Sequence, residues 1–316
     1  MVPKSHSIVR LSSVVLCLLT ALLVACGGGS QADKNAKPLV LCTIFSYFDA
    51  ARAIAGDKAD VEILVPAGQS PHEYQTSLHD KTIASKATLY IKNGLGLDDS
   101  FDGLLDPSKT KVLEIGKAID TKAILHTEET SLDDATKKAT TTQVDNAFAN
   151  PHIWLNPKIQ MAAAEKIRDA LIELDPADAP TFKANAEQYL AGLKKLDADF
   201  ADAAAHFKTR EFIGFHSAYD YLAHRYGLTQ IASIEEIPGG ELTIAQIQKV
   251  THLIQDHHIK YIAIENAFSA QGIDTIKKQT GVETITLQPL ETYDDVKQTY
   301  DGLMRENLQA LKKALD

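Results

Sequence analysis

Among eleven histidines, position singles out three. His72, His152 and His216 each fall in a loop or at the end of a predicted strand, and two of them follow a proline, Pro71 and Pro151. Imidazole nitrogens gathered from distant parts of a chain are what a borderline cation such as Zn(II) accepts, at ~2.0–2.1 Å and usually in a tetrahedron. A fourth donor is then needed. The chain offers Glu291, just past the last predicted strand; Glu265, at the end of the strand before it; Glu73, beside His72; Gln288; or a water. Adjacent residues on an extended loop point apart, which weakens Glu73. His79, His206, His224, His252, His257 and His258 lie on or at the ends of predicted helices and are expected at the surface. A metallohydrolase would also use histidines and an acid, but no His-Glu-x-x-His segment is present. No Ser or Cys stands beside a histidine in a recognisable nucleophile elbow; Ser217 merely follows His216.

The elements that must carry these residues fall on either side of one long helix, Asp178 to His206. Its apolar residues Phe182, Ala186, Tyr189, Leu193, Leu196, Phe200 and Ala203 alternate in spacings of four and three, which makes one continuous stripe. At 1.5 Å per residue this helix would be roughly 43 Å long, enough to join two lobes. Before it, predicted strands at Pro38–Phe45, Val61–Val65, Thr88–Ile91 and Lys111–Ile115 alternate with helices at Phe48–Ala55 and Leu78–Ala87. The polar stretch His126–Asn150 reads as a surface excursion, followed by an amphipathic helix at Lys158–Leu174. After the long helix the alternation restarts, with strands at Glu211–Gly214, Leu228–Ile234, Tyr261–Ile264 and Val282–Leu287. Helices are expected at Ala218–Tyr226, Thr243–His257 (with Thr243 as N-cap), Ala270–Gln279 and Asp294–Leu315. Strands alternating with helices imply a parallel sheet wrapped by helices, and the pattern occurs twice. The expected class is therefore α/β, with two similar lobes spanning 38–177 and 208–316 and a linking helix at 178–207.

The first residues follow a different grammar. Lys4 and Arg10 precede an apolar run from Val14 to Val24, and Leu23-Val24-Ala25-Cys26 ends it. The run is short for a membrane span of ~20 residues, and the segment resembles a bacterial lipoprotein signal with its lipobox. On this reading residues 1–25 are removed, Cys26 carries lipid, and 26–37, rich in glycine at its start, is a flexible tether. Removing Lys4 and Arg10 takes the formal charge from −10 to −12, which disfavours nucleic-acid binding. Cys17 leaves with the signal, so Cys42 is the one thiol of the folded body and reads as a small buried hydrophobe.

Four segments together carry a resemblance: Ser70-Pro71-His72-Glu73-Tyr74; Asn150-Pro151-His152-Ile153-Trp154-Leu155-Asn156-Pro157; Phe215-His216-Ser217-Ala218-Tyr219 with Tyr226-Gly227-Leu228; and Pro238-Gly239-Gly240-Glu241. From about residue 38 to the end, the chain resembles the zinc and manganese solute-binding proteins of bacterial ABC importers. The resemblance implies two (β/α)4-type lobes bridged by a long rigid backbone helix, with a metal held in the cleft by two ligands from each lobe. His72 and His152 would come from the first lobe and His216 from the second. Many members have Leu-Asp-Pro-Leu where this chain has Leu287-Gln288-Pro289-Leu290; some zinc-binding members place a Glu after Pro-Leu, which points to Glu291 as the fourth ligand. The 126–150 loop lacks the histidine run of many Gram-negative relatives. Three imidazoles and one carboxylate suit Zn(II) better than Mn(II), which favours more oxygen donors. The implied role is a monomeric receptor outside the cytoplasmic membrane, lipid-anchored, that delivers Zn(II) to an ABC permease with its ATPase. A Mn(II) receptor and a metal-dependent surface adhesin are the alternatives.

Overall fold

Short runs of apolar residues that are buried along their whole length, such as Leu89-Tyr90-Ile91, are what a sheet covered on both faces requires. The computed structural model describes residues 37–120, 122, 125, 149–234, 242–265 and 271–316. They form two four-stranded, wholly parallel sheets of identical order. In the first, β1 (Leu39–Cys42), β2 (Asp60–Ile63), β3 (Leu89–Lys92) and β4 (Lys111–Glu114) stand as β2-β1-β3-β4. In the second, β5 (Glu211–Gly214), β6 (Thr229–Ser233), β7 (Tyr261–Ile264) and β8 (Glu283–Thr286) stand as β6-β5-β7-β8. Each order reverses direction between its first and third strands. Such a switch point opens a crevice at the carboxyl ends of the strands, where ligands of α/β proteins bind.

The helices that flank the sheets are α1 (Phe45–Ala55), α2 (Leu78–Ala84), α3 (Ile115–Ala118), α4 (Pro157–Leu174), α5 (Ala179–His206), α6 (Asp220–Tyr226), α7 (Ile244–Asp256), α8 (Gln271–Thr280) and α9 (Tyr300–Leu315). Local chemistry sets several of their ends. Asn156 caps α4 with Pro157 at the first position, where its missing N–H costs nothing. Thr243 and Gln246 form a reciprocal capping box on α7, and Gly227 closes α6 in the left-handed region.

The long helix α5 has Asp178 as its N-cap, and its Phe182, Ala186, Leu193, Leu196, Phe200 and Ala203 are buried as the stripe requires. It is not a free-standing strut. Asn185 donates to the carbonyl of Ile54 in α1, Asp197 accepts both Arg225 nitrogens and the Tyr226 hydroxyl of α6, and Asp199 accepts Arg305 of α9. One continuous apolar cluster, from Val40 to Leu315, takes in α1, α4, α5, α6 and α9 and one face of the second sheet. The other face of that sheet is covered by α7 and α8 around Ile213, Val250, Ile254, Ile262 and Ile276.

The largest departures from the expected boundaries fall at three places. The first strand stops at Cys42 and α1 begins at Phe45, because Ile44 already takes the extended N-cap conformation. The helix after β2 ends at Ala84 rather than Ala87. The last helix starts at Tyr300, not Asp294: Gln298 folds its side-chain carbonyl back onto the N–H groups of Asp294 and Asp295, and Thr299 caps the helix through Gly302 N–H. Residues 1–36, with the lipobox at Cys26, lie outside the described residues, as do 126–148 and the Pro238–Glu241 segment.

Candidate metal centre

The crevices of the two sheets meet at a cluster of four side chains, His72, His152, His216 and Glu291, whose ligand atoms all lie within 4.8 Å of one another. His72 comes from the loop after β2, where Ser70 Oγ accepts its backbone N–H. His152 follows Pro151 and opens a short 3-10 turn, Ile153–Leu155. His216 lies two residues beyond β5. Gln230 reaches across the end of that strand to donate to the His216 carbonyl at 2.8 Å. It can do so because Gly214 has no side chain; a Cβ there would stand 2.4 Å from the Gln230 amide nitrogen.

Glu291 is delivered by a turn at Leu290, whose φ of 57° is a left-handed conformation that costs an L-residue about 1–2 kcal/mol. That turn is held mainly by the first half of the chain. Trp154 Nε1 donates to the Pro289 carbonyl at 2.7 Å, Ser46 Oγ to the Leu290 carbonyl at 2.8 Å, and Phe45 N–H to the Glu291 carbonyl at 3.2 Å. Further along, Tyr293 stacks on Phe45, and Arg52 donates to the carbonyls of Val296 and Gln298. Glu291 therefore follows the last strand of the second sheet in sequence but is fixed against the first in space.

The geometry of the four atoms is informative. His152 Nε2 lies 3.2 Å from both His72 Nε2 and His216 Nε2, and Glu291 Oε2 lies 3.4 and 3.5 Å from His72 and His152 Nε2. The edge of a tetrahedron with ~2.05 Å bonds is about 3.3 Å, so four of the six edges already match a Zn(II) site.

Protons on the outer nitrogens decide which atoms face the centre. The Asn150 amide donates to the Ser217 carbonyl and Asp220, so its Oδ1 is free to accept, and it takes both His152 N–H and His152 Nδ1, the latter at 2.8 Å. Glu265 Oε1 accepts from His216 Nδ1 at 2.8 Å and from the Tyr219 hydroxyl at 3.1 Å. With both Nδ1 atoms protonated, the Nε2 lone pairs point inward, toward one another and toward Glu291 Oε2. That oxygen is buried and has no hydrogen-bond partner among the described residues. The inward lone pairs of His152 and His216 beside a carboxylate oxygen repel one another unless a positive group lies among them, and a cation fits that spacing.

Electrostatics agree. Burial holds the His152 imidazole down, at about 3, and the neighbouring imidazoles add to this while Glu291 opposes it. Burial by itself would raise the Glu291 carboxyl, but His152 and His72 outweigh it and hold the group well below the usual carboxylate range. His152 is thus a neutral donor and Glu291 an anionic one.

Of the other fourth-ligand candidates, Glu265 stands behind His216 rather than among the ligand atoms. Glu73 is exposed on the loop, and the Gln288 backbone is pinned by Asn307. All six helix-borne histidines are exposed, and Cys42 is fully buried, with its thiol pushed far up by burial. Sequence reasoning assigned no role to Asn150, Ser70 or Trp154. Ser70 Oγ donates to Glu291 Oε1 at 3.1 Å, and Trp154 joins the His152 turn to the Glu291 turn. Their membership in the quoted motifs was the available signal.

Comparison with known proteins agrees with this fold. The chain is 31% identical over 313 residues to the zinc-binding lipoprotein AdcA of Streptococcus pneumoniae, covering 97% of this chain but 61% of that relative, so it spans about three fifths of its length. It is 27% identical over 312 residues to the high-affinity zinc uptake system protein ZnuA of Bacillus subtilis, covering 96% of each. The solved structure of the Zn(II)-bound ZnuA-like domain of Streptococcus pneumoniae AdcA matches with a TM-score of 0.73 at 28% identity, over 89% of this chain and 100% of that one. Residues 40–314 match the family model described as zinc-uptake complex component A, periplasmic. Because that match runs from the first strand of one sheet through the second sheet to the last helix, the chain belongs to this family.

Proposed function

We propose that this protein is the Zn(II)-capturing receptor of an ABC importer, with His72, His152, His216 and Glu291 as the four ligands. The observation that carries the reading is the set of four inward-facing donors at tetrahedral spacing. Three imidazole nitrogens and one carboxylate oxygen favour Zn(II) over Mn(II). The relatives named for zinc binding and zinc uptake support the same choice. Four protein ligands complete a tetrahedron and leave no open position for an activated water, so the centre is built for holding its cargo and not for hydrolysis.

On this reading, residues 1–25 are a signal, Cys26 carries lipid and 26–37 tethers the body. Lobes 38–177 and 208–316 are joined by the helix at 178–207, and the protein works as an envelope-anchored monomer. The cargo is handed to a permease and its ATPase. Reconstitution tests this: the zinc-loaded receptor is expected to stimulate ATP hydrolysis by its permease complex in vesicles, and the Glu291→Ala, His216→Ala double variant is not. Equal stimulation by both would sink the assignment.

A further inference from the structure

Glu265 is a buried acid that stops short of the ligand atoms. It lies immediately after β7, and His216 lies just beyond β5, so the two occupy the adjacent strand ends that flank the switch point of the second sheet. Both side chains are only 3% exposed. One carboxyl oxygen accepts two donors, His216 Nδ1 and the Tyr219 hydroxyl. The other oxygen has no hydrogen-bond partner among the described residues, and the residue borders a cavity of about 260 Å³ shared with Ser70, Gln288, Glu291 and Thr292. A buried carboxylate oxygen left without a donor is expensive to keep.

Orientation alone does not explain the choice of residue. Asn150 orients His152 with a neutral amide, through a contact of the same length, 2.8 Å. Glu265 performs the same mechanical task with a charge. Two carboxylates, Glu291 and Glu265, thus border one group of three imidazoles, and together they carry the charge that a divalent cation neutralises.

We propose that Glu265 is a positioning and charge-matching residue: it holds His216 with Nε2 toward the centre, and it supplies the second negative charge that balances a bound divalent cation. This rests on the zinc-receptor reading above. A carboxylate on the outer N–H of a histidine strengthens the inner nitrogen as a donor, and loss of such a partner typically weakens metal binding by 10–100-fold.

The test compares wild type, E265Q and E265A as full chains in detergent, by chelator competition for zinc, the visible spectrum of the cobalt(II) form and urea unfolding of the metal-free protein. E265Q retains an acceptor for His216 without the charge and is expected to bind zinc about 10-fold more weakly; E265A is expected to lose about 100-fold and to show an altered cobalt spectrum as His216 is released. Metal-free stability should hold in E265Q, whereas E265A, which leaves the His216 N–H and the Tyr219 hydroxyl without their acceptor, should lose some. Affinity within about twofold of wild type in both variants would overturn the inference, since partners of this kind are worth at least about tenfold. So would a loss of affinity in E265Q matched by an equal loss of its metal-free stability, which would make Glu265 a structural residue only. Wild-type affinity in E265Q alone would remove the charge-matching role. Failure of the wild-type chain to bind zinc would overturn the receptor reading and this inference with it.

Discussion

His152 sits at the centre of the cluster, with Nε2 3.2 Å from both other imidazoles and 3.5 Å from Glu291. Removing it takes away the atom that the other three surround. His152→Ala is therefore expected to weaken zinc binding by well over the ~10–100-fold typical of an outer partner, measured by competition with a calibrated chelator. Asn150→Ala keeps all four proposed ligands but frees the His152 ring and breaks the link from this loop to Ser217 and Asp220. Its expected cost lies inside that ~10–100-fold range, and an affinity equal to wild type would show that the ring is held by packing alone. The three histidines were legible in the sequence because each follows a strand end or stands in a loop, where a sheet delivers its ligands. The fourth position was not settled by the residues, because spacing does not say which way a carboxylate points. Glu265 and Glu291 both follow strands, yet one turns behind His216 and the other, after the left-handed Leu290, turns toward the ligand atoms.

At the scale of elements, the twofold alternation of strands and helices was readable, and so was the stripe on α5. The strand order β2-β1-β3-β4 was not, since it depends on pairings between residues far apart in the chain. The start of α9 was misjudged for a similar reason. Asp294–Gln298 could be helical by composition, but Arg52, some 240 residues earlier, captures two of its carbonyls and Gln298 folds back on its N–H groups. Long-range bonds of this type also hold the Glu291 turn. Trp154→Phe keeps a buried aromatic ring but deletes the N–H to the Pro289 carbonyl together with part of the ring volume. It is expected to destabilise the protein by at least about 1–2 kcal/mol in urea unfolding, because a buried acceptor loses its donor and the smaller ring leaves a void, and to weaken zinc binding as the turn loosens. Asp197→Ala removes the paired contacts from α5 to Arg225 and the Tyr226 hydroxyl. A loss of about 2 kcal/mol is expected, as for hydrogen bonds to a charged group, and an unchanged urea midpoint would mean that the apolar stripe alone holds α5 to α6.

For the whole molecule, the cluster links stability to pH and to cargo. Burial keeps His152 neutral down to about 3 in the folded protein, whereas an unfolded chain protonates the same group near the ordinary histidine value of ~6.5. Stability of the metal-free protein from this group is thus full above ~6.5 and lost as pH falls from there toward 3, by at most about 1.4 kcal/mol per pH unit. Urea midpoints across this range should fall more steeply in wild type than in a His152→Asn variant, and parallel curves would contradict the assignment. Zinc acts in the opposite sense: bound to the native state alone, it should add about 2.7 kcal/mol at a hundredfold excess over its dissociation constant. The most direct measurement is native mass spectrometry of the protein after exposure to equal free Zn(II) and Mn(II), with Glu291→Ala beside it. One zinc per wild-type chain, no manganese, and zinc lost from the variant under the same wash are expected. Manganese in the wild type, or zinc held equally by the variant, would contradict a four-ligand zinc centre.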